Sequence, residues 1–348
     1  EMQRSLVGSE MCIRDRTYNV KFFANGGTGT AQTQTFTYDK AAKLAANKFT
    51  RSGYSFVGWG TKSNSKTADY KNSEEVKNLT DVQNKTVYLY AMWAKSVSDC
   101  TVTGYKSSYV YDGKTIRPAV TVKSGSATLK QGTDYTVTYS GGTSCGTSRI
   151  TIKGIGSYSG TKVVTYKIVP AAPVISKVNR SEKAIRLIWN ESKGASYYTI
   201  YKLIDGKYVQ LARVTGATEY RDAGMKSGTV CKYKIMATGG GATSAETICE
   251  TAVKTKTPNL SVSSASKGKA KLNWNKISAA DGYQIVMSTS QNGTYKAIKY
   301  PNPAAKTSYT KSQLTSGKTY YFKIRSYKTA GGKKLYSDYS SAVKVKVK

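Results

Sequence analysis

The sequence predicts a mainly β protein made of a string of small modules. Its 348 residues include 28 Tyr and 31 Gly but only six Pro. Tyr and the β-branched residues favour strands, and here they recur in short alternating runs that end at Gly-containing turns. At roughly 100 to 200 residues per domain, the length corresponds to two or three domains. We therefore expect several β-modules, each with a small core.

The charge balance and the lack of histidine exclude several classes of function. The chain has 54 Lys and Arg, 20 Asp and Glu and no His, which gives a formal net charge of +34. Without His there is no Ser-His-Asp or Cys-His catalytic site and no His-containing zinc site. No apolar run approaches the ~18 residues that a transmembrane helix requires. An enzyme of this composition would depend on carboxylates, Lys, Tyr or Cys.

Residues 1–16 differ in character from the rest of the chain. The stretch SLVGSEMCIRDR resembles translated sequencing-adapter read-through at the ends of predicted metagenomic proteins. We therefore expect a non-native leader, which is left out of the fold prediction; a native, disordered leader is the alternative. If the segment is an artefact, the sequence carries no information about a signal peptide or an upstream catalytic domain.

Residues 17–95 form the first predicted module. A strand leads into the turn Asn25-Gly-Gly27, and the motifs Gly53-Tyr-Ser-Phe-Val-Gly-Trp59 and Leu89-Tyr-Ala-Met-Trp93 follow. These motifs, in this order and spacing, resemble the internalin-B-type repeat, also called the Listeria/Bacteroides repeat. The resemblance implies a small β-grasp-like fold.

Residues 96–169 form the second predicted module. Alternating runs such as Tyr135–Tyr139 and Ile150–Lys153 are separated by Gly-containing turns, which favours a β-sandwich. The arrangement is similar to the bacterial Ig-like modules of secreted Gram-positive surface proteins. Pro170 marks its end.

The last two predicted modules, 170–257 and 258–348, are related to each other. Each places a Trp at the end of an alternating strand, Trp189 in the third module and Trp274 in the fourth. Both modules resemble fibronectin type III domains, which are seven-stranded sandwiches with a Trp in the core.

The fourth module also matches the tyrosine corner of that family. Leu314, Gly317 and Tyr320 have the spacing Leu-x-x-Gly-x-x-Tyr. In the third module Cys231 stands where the fourth has Tyr320, so we expect another contact to stabilise that corner.

The cysteine spacing predicts two disulfides. Cys231 and Cys249 are equidistant from Gly240, so a hairpin centred there would place them opposite each other, within disulfide reach. Two free, buried thiols are the alternative. Cys100 and Cys145 both lie in the second module and form the natural second pair, although sequence does not establish connectivity. Cysteines that pair within modules are expected in an oxidising compartment, which predicts an extracellular protein.

No group of residues predicts a catalytic, cofactor or metal site. Acidic residues are few, and several stand in turns such as Asp112-Gly113 and Asp281-Gly282, where Asp is favoured for backbone reasons. No phosphate-binding or dinucleotide-binding Gly loop precedes a helix. The chain also lacks a Cys-x-x-Cys pair. We expect no catalytic residue, no cofactor and no metal ligand.

The fourth module carries the largest share of the charge, with 17 Lys and Arg against two acids. Six of its lysines alternate in two groups of three: Lys267, Lys269 and Lys271, and Lys344, Lys346 and Lys348. Residues two apart in a strand share a face, so we expect two exposed cationic stripes for contact with polyanions. Alternatively, these lysines only keep β-edges soluble and unpaired.

The sequence therefore predicts a non-enzymatic spacer and adhesion segment of a secreted or surface-displayed bacterial protein. Expected partners are an anionic cell-wall polymer, a glycan or a host surface protein, bound by a monomeric string of modules. Specific nucleic-acid binding is not expected, because Lys greatly outnumbers Arg, the residue that reads base edges. The alternative is a set of accessory C-terminal modules of a secreted cell-wall or polysaccharide hydrolase.

Overall fold

The computed structural model describes residues 16–348, so the predicted leader lies outside the described residues apart from Arg16. The protein is mainly β, as the sequence predicts. Among the described residues the regular structure consists of strands and one short 3-10 turn, Val97–Asp99.

The described residues form two compact units. The first unit contains residues up to 109, residues 115–142 and residues 147–167; the second contains residues 110–114, 143–146 and 168–348.

In the first module the two central strands are parallel. Its strands are β1 (Thr17–Phe23), β2 (Gln32–Thr37), β3 (Ala42–Lys43), β4 (Tyr54–Gly60), β5 (Glu75–Val76) and β6 (Thr86–Ser96). β6 lies between β1, which runs parallel to it, and β4, which runs antiparallel, while β2 forms a hairpin with β1. This is the β-grasp-like order that the resemblance implies. Trp59 on β4 is buried against Phe22 on β1, with ring centroids 4.7 Å apart.

The Asn25-Gly-Gly27 turn is fixed by Trp93 on β6. The indole N–H of Trp93 donates to the carbonyl of Ala24 at 2.8 Å. A Cβ on Gly27 would lie 2.7 Å from the Trp93 ring, so only glycine fits. The Asn25-Gly-Gly27 turn and the Trp93 of the last motif therefore contact each other directly.

The second module is a sandwich of two sheets. Its strands are β7 (Thr101–Thr103), β8 (Ser108–Val110), β9 (Thr121–Ser124), β10 (Ala127–Thr128), β11 (Tyr135–Ser140), β12 (Gly146–Gly154), β13 (Tyr158–Ser159) and β14 (Thr161–Val169). One sheet has the order β10-β9-β7 and the other β11-β12-β14-β8. The small strand β13 instead pairs in parallel with the end of β6, Tyr158 facing Lys95. The first and second modules therefore share a sheet at this point.

The third and fourth modules have the same strand order. The third contains β15 (Val174–Arg180), β16 (Ala184–Asn190), β17 (Tyr197–Ile204), β18 (Lys207–Val214), β19 (Glu219–Ala223), β20 (Val230–Gly239), β21 (Ala242–Thr243) and β22 (Thr247–Ala252). The fourth contains β23 (Leu260–Ser263), β24 (Ala270–Trp274), β25 (Gly282–Ser288), β26 (Lys296–Lys299), β27 (Ser308–Lys311), β28 (Thr319–Ala330), β29 (Lys333–Tyr336) and β30 (Val343–Lys346). Each has a three-stranded sheet, β15-β16-β19 or β23-β24-β27, and a five-stranded sheet centred on β17-β20 or β25-β28.

The same Trp–Tyr pair forms the core of both modules. Trp189 packs edge-on against Tyr198 with ring centroids 5.2 Å apart, and Trp274 packs against Tyr283 at 5.4 Å. In each module the Tyr hydroxyl accepts a hydrogen bond from a backbone N–H six residues upstream, at 2.8 and 2.9 Å. The two tyrosines therefore mark equivalent positions on β17 and β25.

The tyrosine corner of the fourth module is present. The hydroxyl of Tyr320 accepts a hydrogen bond from the backbone N–H of Thr315 at 3.1 Å. Hydrogen bonding to Thr315, first through its side chain and then through its backbone, lowers the pKa of Tyr320. In the third module Cys231 is buried at the equivalent corner, with its sulfur 3.6 Å from the sulfur of Met225.

A buried polar network lies beside Cys231 in the third module. The hydroxyl of Tyr233 donates to Asp222 at 2.7 Å, and the ammonium of Lys202 donates to the same carboxylate oxygen at 2.8 Å. Burial, together with this carboxylate, raises the pKa of Tyr233. The fourth module has Met287 paired with Phe322 where the third has Lys202 paired with Tyr233. The third module thus has an ion pair in its corner region where the fourth is apolar.

The linker between the third and fourth modules is hydrogen-bonded to the fourth. The buried hydroxyl of Ser326 lies 2.7 Å from both the Thr255 hydroxyl and the Lys256 carbonyl. The ammonium of Lys254 lies 3.0 Å from Asp338. These contacts order the linker, because each one satisfies a polar group of the connecting chain.

Removing the Asp222 carboxylate should destabilise the third module. In Asp222→Ala the Lys202 ammonium, whose side chain is 18% exposed, would keep its charge without its partner. We expect a loss of about 2 kcal/mol, because an unpaired charge in a largely buried position is costly. Hydrogen exchange of the β20 amides measures this loss.

The matched control combines Asp222→Ala with Lys202→Met, which introduces the residue that the fourth module has at this position. This double variant should lose less stability than Asp222→Ala alone. Equal losses in the two variants would contradict a stabilising role for the ion pair.

Candidate anion-binding surface

The six lysines singled out from the sequence are all exposed. Lys344 and Lys346 lie on β30 and alternate with Val343 and Val345, which pack against the core. Lys271 lies on β24 between two buried residues. The expectation that Lys267, Lys269 and Lys271 share one strand is wrong. Lys267 and Lys269 precede β24, because a turn at Gly268 with a φ of +68° interrupts the alternation.

The two groups of lysines meet at one end of the fourth module. The backbone N–H of Gly268 donates to the carbonyl of Lys348 at 2.9 Å, and the N–H of Lys348 donates to the hydroxyl of Ser264 at 3.1 Å. The N–H of Val347 donates to the carbonyl of Lys318 at 3.0 Å. We call the four exposed lysines of this end the lysine pole: Lys267, Lys269, Lys318 and Lys348.

No acid of the fourth module neutralises the lysine pole. Residues 258–348, all of which the structure describes, contain two acids, Asp281 and Asp338. Asp281 pairs with Lys328 at 2.7 Å, and Asp338 pairs with Lys254 at 3.0 Å. Both side-chain carboxylates of the module are therefore paired with lysines outside the pole.

Asp281 has a structural role. Its second oxygen accepts a hydrogen bond from the N–H of Thr329 at 2.8 Å, next to the Lys328 pair. Burial alone would raise the pKa of Asp281, but the bonds from Lys328 and Thr329 outweigh burial and hold this pKa below its ordinary value of 3.8. The carboxylate therefore stays ionised and anchors the end of β28.

Sequence reasoning missed a second cationic position, Arg325 on β28. It is the one arginine among residues 258–348. Its guanidinium carbon lies 3.7 Å from the ring centre of Tyr336 and 4.4 Å from that of Tyr339. The signal in the sequence was its alternation with the apolar Ile324, which assigns Arg325 to the outer face of the sheet.

The predicted opposition of Cys231 and Cys249 is wrong. In the β20–β22 ladder Cys231 faces Thr251, and Cys249 faces Tyr233. The two cysteines are therefore diagonal neighbours, at a separation of about 7–8 Å for such pairs, which is beyond ordinary disulfide reach.

The error comes from the turn that was assumed. Gly240 and Gly241, with φ of +56° and +74°, form a two-residue turn, so the hairpin is not centred on Gly240 alone. The strand after the turn also contains one residue more than its partner. Thr238 faces Thr243 but Ile235 faces Thr247, so three steps along β20 correspond to four steps along the strand that follows the turn.

The four described cysteines are free thiols, so neither predicted bridge is present. Cys100 and Cys145 belong to different compact units. The Cys100 thiol lies 3.8 Å from the Ser96 carbonyl, whereas Cys145 packs against Gly194, where an added Cβ would lie 2.5 Å from its sulfur. Each thiol therefore has its own buried surroundings.

Residues 16–348 contain neither a candidate metal site nor a candidate membrane span. No three potential metal-ligating side chains come together within this part of the chain. Within the same residues, no helix has the length and apolar character to cross a membrane.

Two parts of the chain match known domain families. Residues 18–92 match the Listeria-Bacteroides repeat domain, and residues 253–343 match the fibronectin type III domain. Both families are typical of extracellular or surface proteins, and their domains are typically non-catalytic. The two resemblances inferred from the first and fourth modules are therefore confirmed.

Solved structures of fibronectin type III domains are also similar to the chain. A two-domain segment of chicken tenascin is 19% identical and covers 51% of this chain and 99% of its own, with a TM-score of 0.34. The FN1–FN3 domains of chicken CNTN1 are 16% identical and cover 58% of this chain and 76% of their own, with a TM-score of 0.31. The FN3tt domain is 26% identical and covers 24% and 95%, with a TM-score of 0.23. No curated protein sequence matches the chain.

A Cys231–Cys249 disulfide should not form in the folded protein. Non-reducing mass spectrometry of aerobically purified protein should show both residues as separate thiol peptides. Because burial raises the pKa of Cys249 above 9.0, its alkylation in the native state should still accelerate as the pH rises through 9. A disulfide-linked peptide containing both residues would contradict the observed register.

Asp281 should make the stability of the fourth module pH-dependent. Its pKa is lower in the folded state than the ordinary 3.8, so its contribution is present above about pH 4 and is lost as the pH falls through the folded value. Asp281→Asn should cost about 1 kcal/mol at pH 7 and less at pH 2, measured by urea unfolding. The control is Asp338→Asn, at a carboxylate that is 77% exposed, and it should cost less stability than Asp281→Asn at pH 7. If Asp281→Asn cost the same stability at pH 7 and at pH 2, this role of Asp281 would be contradicted.

Proposed function

We propose that this chain is a non-enzymatic spacer and adhesion segment of a secreted or surface-displayed bacterial protein, and that its lysine pole contacts anionic cell-wall polymers or glycans. Domain families typical of surface proteins at residues 18–92 and 253–343 support the location and the adhesive role. The proposed segment consists of four modules with the boundaries 17–95, 96–169, 170–257 and 258–348.

The lysine pole carries this proposal. Its four ammonium groups come from the turn before β24, the turn before β28 and the end of the chain described here, and all are exposed. Both carboxylates of the module are paired with lysines outside the pole. Exposed charges of one sign attract a polyanion over about one Debye length, ~8 Å at 0.15 M salt.

The chemistry of lysine favours a polymer over a single specific ligand. An ammonium is a compact, strongly hydrated charge on a flexible stem, and it lacks the planar fork with which arginine binds one oxyanion. Four such groups on mobile side chains suit repeating anionic groups that need no fixed geometry. Teichoic acid and acidic glycans are polymers of this kind.

Neutralising the lysine pole should weaken adhesion to anionic walls. We expect the variant in which Lys267, Lys269, Lys318 and Lys348 are all changed to Gln to bind teichoic-acid-bearing cell walls about tenfold more weakly at 0.05 M salt. Wild-type binding should fall as salt is raised, and walls stripped of teichoic acid should retain little protein. A cosedimentation assay measures the binding of the variant, the salt dependence of wild-type binding and the retention of protein on stripped walls.

The matched control changes four exposed lysines of the third module to Gln: Lys177, Lys183, Lys207 and Lys226. It removes the same total charge and should retain most of the binding. Equal losses in the two variants, or equal retention on stripped walls, would contradict the proposed role of the pole.

A further inference from the structure

The outer face of the fourth module contains a hydrogen-bonded network centred on Gln284. This side chain is only 7% exposed and lies opposite Arg325 in the β25–β28 ladder. Its carbonyl oxygen accepts from Arg325 Nε at 2.6 Å and from the Tyr339 hydroxyl at 2.9 Å. Its amide nitrogen donates to the Tyr300 hydroxyl at 2.8 Å. One buried amide therefore holds an arginine and two tyrosines in place.

The network holds the Arg325 guanidinium in place, and the residue remains partly exposed. Tyr336 and Tyr339 contact the guanidinium plane, and Gln284 occupies its Nε. Among residues 16–348 no carboxylate forms an ion pair with Arg325. An arginine held by its Nε and by ring contacts presents its two terminal nitrogens as a ready fork for an oxyanion.

The surroundings of the fork are aromatic and cationic. Tyr300 is 47% exposed and Tyr339 is 39% exposed, so both rings are accessible beside Arg325. The ammonium of Lys334 lies 5.2 Å from the ring centre of Tyr300. Exposed tyrosine rings offer flat apolar faces with a polar edge, which suit the face of a pyranose ring.

We propose that this face binds uronic-acid residues of acidic polysaccharides. The carboxylate of the uronic acid forms a bidentate pair with the Arg325 fork, and its pyranose ring packs against Tyr300 or Tyr339. A phosphate polymer without sugar rings would use the charge but leave the two rings without a partner. The site deepens the proposed adhesive function by naming a ligand class, and it rests on residues outside the lysine pole.

The third module shows that this arrangement is not a general feature of the fold. Counting from the equivalent core tyrosines Tyr198 and Tyr283, the position of Gln284 is Thr199 in the third module. Thr199 faces Met236, which therefore stands where the fourth module has Arg325. The equivalent strands of the third module therefore pair without such a network.

The comparison also supplies a conservative test variant. Arg325→Met introduces the residue that the third module tolerates at the same position. We expect the full chain to bind an oligogalacturonate in isothermal titration calorimetry at 0.3 M salt, and Arg325→Met to weaken this affinity about tenfold or more. Arg325→Lys should recover little of the affinity, because lysine keeps the charge but not the fork. Tyr339→Ala should weaken binding as well.

Two further variants distinguish this site from the lysine pole and from a loss of folding. Gln284→Thr, again the third-module residue, should weaken binding by releasing Arg325, with the tryptophan fluorescence of the fold unchanged. The lysine-pole variant should keep its oligogalacturonate affinity within about threefold at this salt concentration, since exposed charges are largely screened. If Arg325→Met bound oligogalacturonate as tightly as the wild type, the proposed Arg325 site would be wrong. The proposal for the lysine pole would not be affected by that result.

The ligand class is tested by two competing polymers. Polyphosphate and polyglutamate should bind more weakly than oligogalacturonate at 0.3 M salt, and Arg325→Met should affect them less. If either polymer shows the same affinity and the same dependence on Arg325, the assignment to uronic acids is overturned.

Discussion

The packing of Trp274 against Tyr283 determines which side chains of the fourth module face outward. Tyr283 is held by its ring contact with Trp274 and by the hydrogen bond from Ile277 to its hydroxyl. Because side chains alternate along a strand, the next residue, Gln284, must face outward. The β25–β28 pairing then places Arg325 opposite Gln284. A slip of one residue would bury Arg325, so the core contact defines the outer site.

Local features of this architecture could be predicted from the sequence, whereas features that depend on turns and distant pairing could not. Trp274 is buried and Tyr320 forms its corner as predicted, because alternation and short fixed spacings are displayed directly in the sequence. Three consecutive glycines, Gly239–Gly241, do not reveal which two form the turn, and a shift of half a residue in its centre moves every opposing pair. The Gln284–Arg325 pair joins positions 41 residues apart, and only the register of β25 and β28 brings them together.

The third and fourth modules place their polar networks on opposite sides of the same sheet. In the third module Lys202, Asp222 and Tyr233 lie inward, beside the corner where a tyrosine is lacking, and form an ion pair and a hydrogen bond there. In the fourth module the equivalent inward pair is Met287 and Phe322, and the corner tyrosine is present. At this inward position the fourth module therefore has an apolar pair. Its polar network lies on the outer face, where Gln284 is buried and Arg325 is partly exposed.

In the two proposals, the two kinds of cation on the fourth module act over different ranges. The lysines are exposed, so their proposed attraction for a polyanion falls as salt screens them. Arg325 is oriented by three neighbouring side chains and acts only at contact, where hydrogen-bond geometry and ring packing discriminate between anions. Because screening reduces the first effect much more than the second, the fourth module should lose general adhesion at high salt before it loses selectivity for a sugar carboxylate.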